Sequence, residues 1–144
     1  MQAKQFMAGS VVGGVVLFVT GYLIFNVAFA DFYTANAGSA AGVDRSALIL
    51  WPIALASLAY AALITYSMGN RTDAMSIGGG AKVGAIVGFL LWFSVDFFLY
   101  GATNIANMTR TVVDPVLELV HGGIAGAVIA AVLVKMSGPG RNAT

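Results

Sequence analysis

Three ionisable side chains lie deep inside long apolar stretches of the sequence: Asp96, Glu118 and His121. A charged group at the centre of a bilayer costs about 2.5–3.5 kcal/mol on insertion scales, so such groups usually face other protein groups and mark a site. Glu118 and His121 have the i, i+3 spacing of the Glu-x-x-His pairs that bind metal in di-metal helical bundles. Because burial changes the proton affinity of such groups, the three also suit acid–base chemistry.

Helical periodicity adds further polar residues to these three. Asp114, Glu118 and His121 share one face of a helix, since positions i, i+4 and i+7 coincide. A divalent metal at this face would use these three residues as ligands. The candidate polar pocket, which we expect at the outer end of the helices, consists of Asp96, Tyr100, Asn104, Glu118, His121 and Asn26.

Four interpretations of these residues are open from the sequence. A metal site would need Asp96 or Asp114 as a third ligand, or a second subunit, because the chain has one Glu-x-x-His copy. An enzyme would need a nucleophile motif, and none is recognisable. A proton or solute path fits poorly with four helices that lack an internal repeat. The favoured interpretation is structural: the polar groups pair with one another and with Arg110, and Asp114 caps a helix.

The elements that carry these residues are four long apolar runs. Hydrophobic residues make up 59% of the 144 positions and charged residues 9%, whereas soluble domains contain about 25% charged residues. The runs cover 6–30, 47–68, 81–103 and 114–135, and each is long enough to cross a hydrocarbon core of roughly 30 Å. The sequence predicts an all-α membrane protein whose single domain, 1–144, is an antiparallel bundle of four transmembrane helices.

Local signals mark the ends of these helices. The first run exceeds the apolar core of a signal peptide, so we expect an uncleaved helix although Ala28 and Ala30 imitate a cleavage site. Asp114 followed by Pro115 predicts the start of the fourth helix. The glycine triplet 78–80 predicts a turn at the membrane surface, because no strand precedes it and no Lys-Ser/Thr follows, as a phosphate-binding loop requires. The G-x-x-x-G pairs that predict close helix packing are Gly9 and Gly13, Gly84 and Gly88, and Gly122 and Gly126.

Charge distribution predicts the topology. Five basic residues fall on the side of the two termini: Lys4, Arg71, Lys82, Lys135 and Arg141. Two fall on the opposite side: Arg45 and Arg110. The positive-inside rule therefore places both termini in the cytoplasm. The absence of cysteine excludes disulfides and thiolate metal sites, and no basic–aromatic pattern indicates binding of nucleic acid.

Two segments carry a resemblance to known proteins. GYLIFNVAFADFY in the first run and GAKVGAIVGFLLWFSVDFFLYGATN in the third resemble segments of a group of small uncharacterised bacterial four-helix integral membrane proteins. The resemblance extends over most of the chain, roughly from Gly9 to Lys135. It implies four spans in the bacterial inner (cytoplasmic) membrane, and it implies no activity.

The sequence favours a non-enzymatic role, although it leaves enzymatic activity open. We expect a structural or accessory subunit that packs among membrane lipids against itself, as a homo-oligomer, or against a larger membrane complex. The alternative is a binding protein or enzyme with a polar site for a metal, a lipid headgroup or a proton at the non-cytoplasmic end. No cofactor is required by the sequence, and a divalent metal is the one that the alternative would use.

Overall fold

The part of the chain that the structure describes is all-helical, and four of its helices are long and apolar enough to cross a membrane. This computed structural model describes residues 1–69, 73–74 and 76–137. The elements are α1 (Ala3–Gly21), a π-helical segment (Tyr22–Ala28), α2 (Ala30–Ala35), α3 (Leu50–Met68), α4 (Ile77–Ala102) and α5 (Met108–Ser137). The candidate spans are Ala3–Ala28, Leu50–Met68, Ile77–Ala102 and Met108–Ser137. The prediction of an all-α chain with four potential spans is confirmed.

Helix α5 lies at the centre of the packing. It packs extensively along α4 and also contacts α1, which in turn packs against α3. Its buried face contains both apolar residues, such as Ile129 and Leu133, and the polar residues Asp114, Glu118 and His121. One helix therefore supplies the core at one end of the molecule and the polar cluster at the other. We call the end with Ile129 and Leu133 the glycine end, after the glycines that pack there, and the end with Asp114, Glu118 and His121 the polar end.

Glycines bring α4 and α5 into close contact at the glycine end. A Cβ atom at Gly84 would lie 2.9 Å from Cα of Gly126, and one at Gly122 would lie 3.1 Å from the carbonyl carbon of Gly84. Further along, a Cβ at Gly88 would lie 2.6 Å from the carbonyl oxygen of Glu118. The residue number on α5 thus falls as the number on α4 rises.

The glycines of α1 lie against two other helices. A Cβ at Gly9 would lie 2.7 Å from Cγ2 of Thr65 on α3. A Cβ at Gly13 would lie 2.7 Å from Cγ1 of Ile129 on α5 and 3.1 Å from Cβ of Ala61 on α3. The absence of side chains at these positions lets α1 approach both neighbours closely.

Two predicted helix starts are wrong. The glycine triplet does not form a turn but lies in the first turn of α4, where Ser76 is the N-cap and its Oγ accepts a hydrogen bond from the Gly79 amide at 3.0 Å. The last helix begins at Met108, because the Oδ1 atom of Asn107 caps it by accepting from the Arg110 amide at 3.0 Å. A serine or asparagine cap satisfies free amide groups at a helix start.

Asp114 is therefore not a helix cap. It lies with Pro115 inside α5, and both are buried. Proline removes one backbone donor from the helix, and usually costs about 3 kcal/mol in a helix interior. In α5, the turn before Pro115 is already stabilised by the Asn107 cap and by the hydrogen bond from Thr111 Oγ1 to the Asn107 carbonyl, at 2.9 Å. The predicted helix thus starts too late.

The two loops at the polar end join each other through their backbones. The segments 36–40 and 104–107 form an isolated antiparallel bridge between Ala37 and Ala106. The amide of Gly38 donates to the Ile105 carbonyl at 2.8 Å, and the amide of Asn107 donates to the Asn36 carbonyl at 3.2 Å. We call these two segments the loop clasp. It ties the end of α2 to the start of α5.

Candidate functional site

Glu118 and His121 form the centre of a buried polar network. Their side chains contact each other, with Nδ1 of His121 3.0 Å from Oε2 of Glu118. Tyr60 on α3 donates its hydroxyl to the same carboxylate oxygen at 3.2 Å, and Nε2 of His121 lies 3.0 Å from the carbonyl oxygen of Leu17 on α1. Only 2% of Glu118 and 5% of His121 is exposed. The network therefore connects three helices.

Aromatic rings and a glycine enclose the imidazole. Phe25 and Tyr60 meet the His121 ring edge to face, with centroid separations of 5.5 and 6.1 Å. A Cβ atom at Gly21 would lie 3.3 Å from the same ring, so the last residue of α1 leaves space for it. These groups pack the ring on sides that its hydrogen bonds leave free.

Asp114 belongs to a second contact, one helical turn from Glu118. Its carboxylate accepts a hydrogen bond from the hydroxyl of Tyr33 on α2. The guanidinium of Arg110 lies 4.9 Å from the centroid of the Tyr33 ring, a cation–π distance. Asn107 adds a side-chain bond, from its Nδ2 to Oδ1 of Asn36, at 3.1 Å. The short helix α2 is therefore attached to α5 by side chains as well as by the loop clasp.

Two polar atoms of α4 are buried without a hydrogen-bond partner among the described residues: Oδ2 of Asp96 and Nε1 of Trp92. They come from positions i and i+4 of one helix face, one an acceptor and the other a donor. Buried polar atoms usually have partners, and each exception calls for an explanation.

Three residues of the predicted pocket are exposed and not buried with Glu118 and His121. Tyr100 is 41% exposed, and Asn26 and Asn104 are exposed as well. Asn104 follows the end of α4 at Ala102, so the helical spacing that was used to place it no longer applies; its backbone carbonyl accepts from Ala40 in the loop clasp. Asn26 lies in the π-helical segment, where i→i+5 bonding changes the angular spacing of the side chains.

The predicted metal ligands do not assemble into a metal site. Glu118 and His121 come together as their spacing predicts, but Asp114 does not complete a ligand set. Within residues 1–69, 73–74 and 76–137, no three His, Asp or Glu side chains are grouped closely enough to hold a metal ion. Both ring nitrogens of His121 are also in contact with protein oxygens, which leaves neither free for a metal.

Sequence reasoning missed the partners that satisfy the network. No role was assigned to Tyr60 from the sequence, although a phenol in the middle of an apolar span needs a hydrogen-bond partner and thereby gives a signal. Tyr33 follows the first apolar run in the sequence, and nothing around it indicates a contact with α5. The Leu17 carbonyl carries no sequence signal.

Comparison of the chain with protein-family models, with curated proteins and with solved structures gave no match.

Proposed function

We propose that this chain is a small integral membrane protein with a structural or accessory role, which packs against itself or against a larger membrane complex. The observation that carries the proposal is the internal pairing of the polar groups. Glu118 contacts Tyr60 and His121, and Asp114 contacts Tyr33. Groups that are satisfied by their own chain have little capacity left for a substrate. The surface in the membrane is then the part available for function.

A second observation indicates where a partner would bind. From Phe89 to the end of α4 at Ala102, no residue is buried. This stretch, the outer half of α4, nevertheless contains Asp96 and Trp92 with their partnerless atoms, and Phe98, which is 71% exposed. A neighbouring helix that supplied a donor and an acceptor here would satisfy both atoms and cover the apolar face.

The same proposal includes an orientation. Higher-numbered residues of α4 contact lower-numbered residues of α5, which supports an antiparallel bundle. The charge distribution supports cytoplasmic termini. Two of the five basic residues on the terminal side, Arg71 and Arg141, lie outside the described residues. The bacterial inner membrane is the location implied by the sequence resemblance. In intact cells, an impermeant maleimide should then label Val43→Cys and leave Gln2→Cys unlabelled.

Disulfide crosslinking combined with mass spectrometry tests the partner surface. The chain has no cysteine, so Phe98→Cys introduces a single thiol on the outer half of α4. Ile77→Cys, on the same helix and 63% exposed, is the matched control. We expect Phe98→Cys to crosslink in native membranes, either to a second copy or to another protein, and Ile77→Cys to remain uncrosslinked. An intact particle of one uncrosslinked chain would refute the accessory role.

The alternative function is a binding protein or enzyme with a site near Asp96. The partnerless atoms of Asp96 and Trp92 favour it, since a bound lipid headgroup or metal could also satisfy them. A path across the membrane is poorly supported, because α5 has no ionisable residue between His121 and Lys135. Metal analysis and lipid mass spectrometry on the same particle decide between the functions: a stoichiometric ligand that Asp96→Asn abolishes would establish the alternative.

A further inference from the structure

Both groups that face the ring nitrogens of His121 are oxygen atoms. The Leu17 carbonyl can only accept a hydrogen bond, and an ionised Glu118 carboxylate can only accept as well. Each oxygen lies 3.0 Å from its ring nitrogen. A neutral imidazole has a single N–H, so it could satisfy only one of them. The two contacts therefore require one proton more than a carboxylate and a neutral imidazole possess.

This additional proton has two possible positions between Glu118 and His121. It resides on Nδ1 in an imidazolium–carboxylate pair, or on Oε2 in a carboxylic acid that donates to Nδ1. Nε2–H donates to the Leu17 carbonyl in both forms. Neither form carries a net charge, which suits a pair of side chains that are almost completely buried.

We propose that this shared proton is a latch that fastens the end of α1 to α5. If the proton is lost, the ionised carboxylate and the Leu17 carbonyl compete for the single remaining N–H. Charge-assisted hydrogen bonds are about twice as strong as neutral ones, so the remaining proton occupies Nδ1 and donates to Glu118. Nε2 is then unprotonated against the Leu17 carbonyl. The bond that breaks is therefore the one between α5 and α1.

The segment that the latch controls begins one turn after Leu17. It is the π-helical segment Tyr22–Ala28, and we call it the strap. The π-helix is rare and often occurs at functional sites, and here it directly follows Gly21, which lies against the His121 ring. Phe25 of the strap also contacts that ring. Loss of the proton removes the hydrogen bond at the base of the strap and lets the strap shift relative to α5, while α2 stays attached to α5 through Tyr33 and the loop clasp.

Other titratable groups surround the pair from three elements. Tyr60 faces it from α3, Asp96 is in electrostatic range on α4, and Asp114 lies on the same face of α5. Beyond them, Tyr33 of α2 bonds Asp114, and Arg110 lies over Tyr33. On α1, the groups in contact are the Leu17 carbonyl and Gly21, neither of which titrates. Asp96→Asn and Asp114→Asn variants separate the titration of those carboxyls from that of the pair.

The chain contains a single histidine, which makes the proton directly observable. In protein labelled with ¹⁵N-histidine and reconstituted in lipid, the two ring-nitrogen signals report protonation between about pH 5 and pH 10. We expect Nε2 to be protonated at the lower pH values and to lose its proton as the pH rises. If Nε2 remains protonated throughout, or is already unprotonated at the lowest pH, the latch is refuted.

A distance measurement shows whether the strap moves with the proton. Spin labels at Leu23→Cys in the strap and Val120→Cys on α5, both exposed positions, should move apart at the pH at which Nε2 titrates. Labels at Val11→Cys and Val134→Cys, at the glycine end, are the matched control and should not separate. A constant distance between the first pair across the titration would overturn the proposal.

Glu118→Gln isolates the role of the carboxyl proton. The amide of glutamine can donate to Nδ1, which leaves Nε2–H on the Leu17 carbonyl without any additional proton. This variant should keep the strap in place at every pH, with the Leu23–Val120 distance unchanged. If its strap still separates at the wild-type pH, the shared proton is not the latch.

Discussion

The glycine end and the polar end of the molecule are held together by different physical means. At the glycine end, the backbones of α4 and α5 approach so closely that a Cβ at Gly84 would contact Gly126. At the polar end, α5 is attached to its neighbours by side chains, through Glu118, His121 and Asp114. The first region depends on shape alone, and the second on matching donors and acceptors.

The difference has a consequence for tolerance to substitution. In lipid, helices associate through close packing and hydrogen bonds, because apolar burial offers little gain over lipid tails. Close packing fails when any volume is added, whereas a polar network fails when one partner is removed. The two ends should therefore respond to opposite kinds of mutation, and the following changes test this contrast.

The largest effect is expected from Glu118→Ala. It leaves Tyr60 and His121 without their shared acceptor and creates a cavity, and removing one partner of a buried pair costs about 3–5 kcal/mol. The free energy of unfolding, measured in mixed micelles, should fall by about that amount. Glu118→Gln retains the volume and a donor, and should lose less than half as much. Equal losses in the two variants would mean that the network is not held by hydrogen bonds.

An intermediate effect is expected from Gly122→Ala. The added methyl group would contact the Gly84 carbonyl oxygen and would lie 2.8 Å from the Tyr60 hydroxyl and 3.1 Å from the carbonyl carbon of Gly84. Overpacking of this kind costs about 1–3 kcal/mol. The neighbouring Gly123→Ala is the matched control, because its nearest contact would be at 3.6 Å, and it should change stability by less than about 0.5 kcal/mol. Similar losses at both glycines would argue against a steric role for the α4–α5 contact.

The smallest effect is expected in the loop clasp. Asn107→Ala removes the cap of α5 and the side-chain bond to Asn36, and loss of a cap costs about 1 kcal/mol. Amide hydrogen exchange should increase in the first turn of α5. Asn104→Ala is the control, since Asn104 contributes its backbone carbonyl and its side chain is exposed. An unchanged exchange rate in Asn107→Ala would show that the turn is held by other contacts.

The four helices could be predicted because their length and hydropathy are properties of each segment alone. Two of their ends could not, since several residues competed for the same role. Asp114–Pro115 and the glycine triplet are typical of a helix start and a turn, but Asn107 and Ser76 cap the chain earlier. The choice between competing caps depends on the conformation of the loop that precedes them. For α5, the loop clasp fixes that conformation.

The polar network was predictable only where it lies within one helix. The spacing of Asp114, Glu118 and His121 places them on one face, and all three are buried there. Their partners come from α1, α2 and α3, and the rotation of one helix against another is not encoded in the period of either. For this reason, Tyr60 and Tyr33 were missed as partners, whereas Asn26, Asn104 and Tyr100, which were assigned to the same pocket as Glu118 and His121, are exposed.

The partners in the polar network also differ in when they are synthesised. The Leu17 carbonyl, Tyr33 and Tyr60 all precede Asp114, Glu118 and His121 in the chain. The last span brings Glu118 and His121 into the bilayer, and by then the Leu17 carbonyl and the Tyr60 hydroxyl are already present in the earlier spans. The contacts of Glu118 and His121 can therefore form only after the first two spans are in place. Truncation before α5 would leave Tyr60 in lipid without its carboxylate.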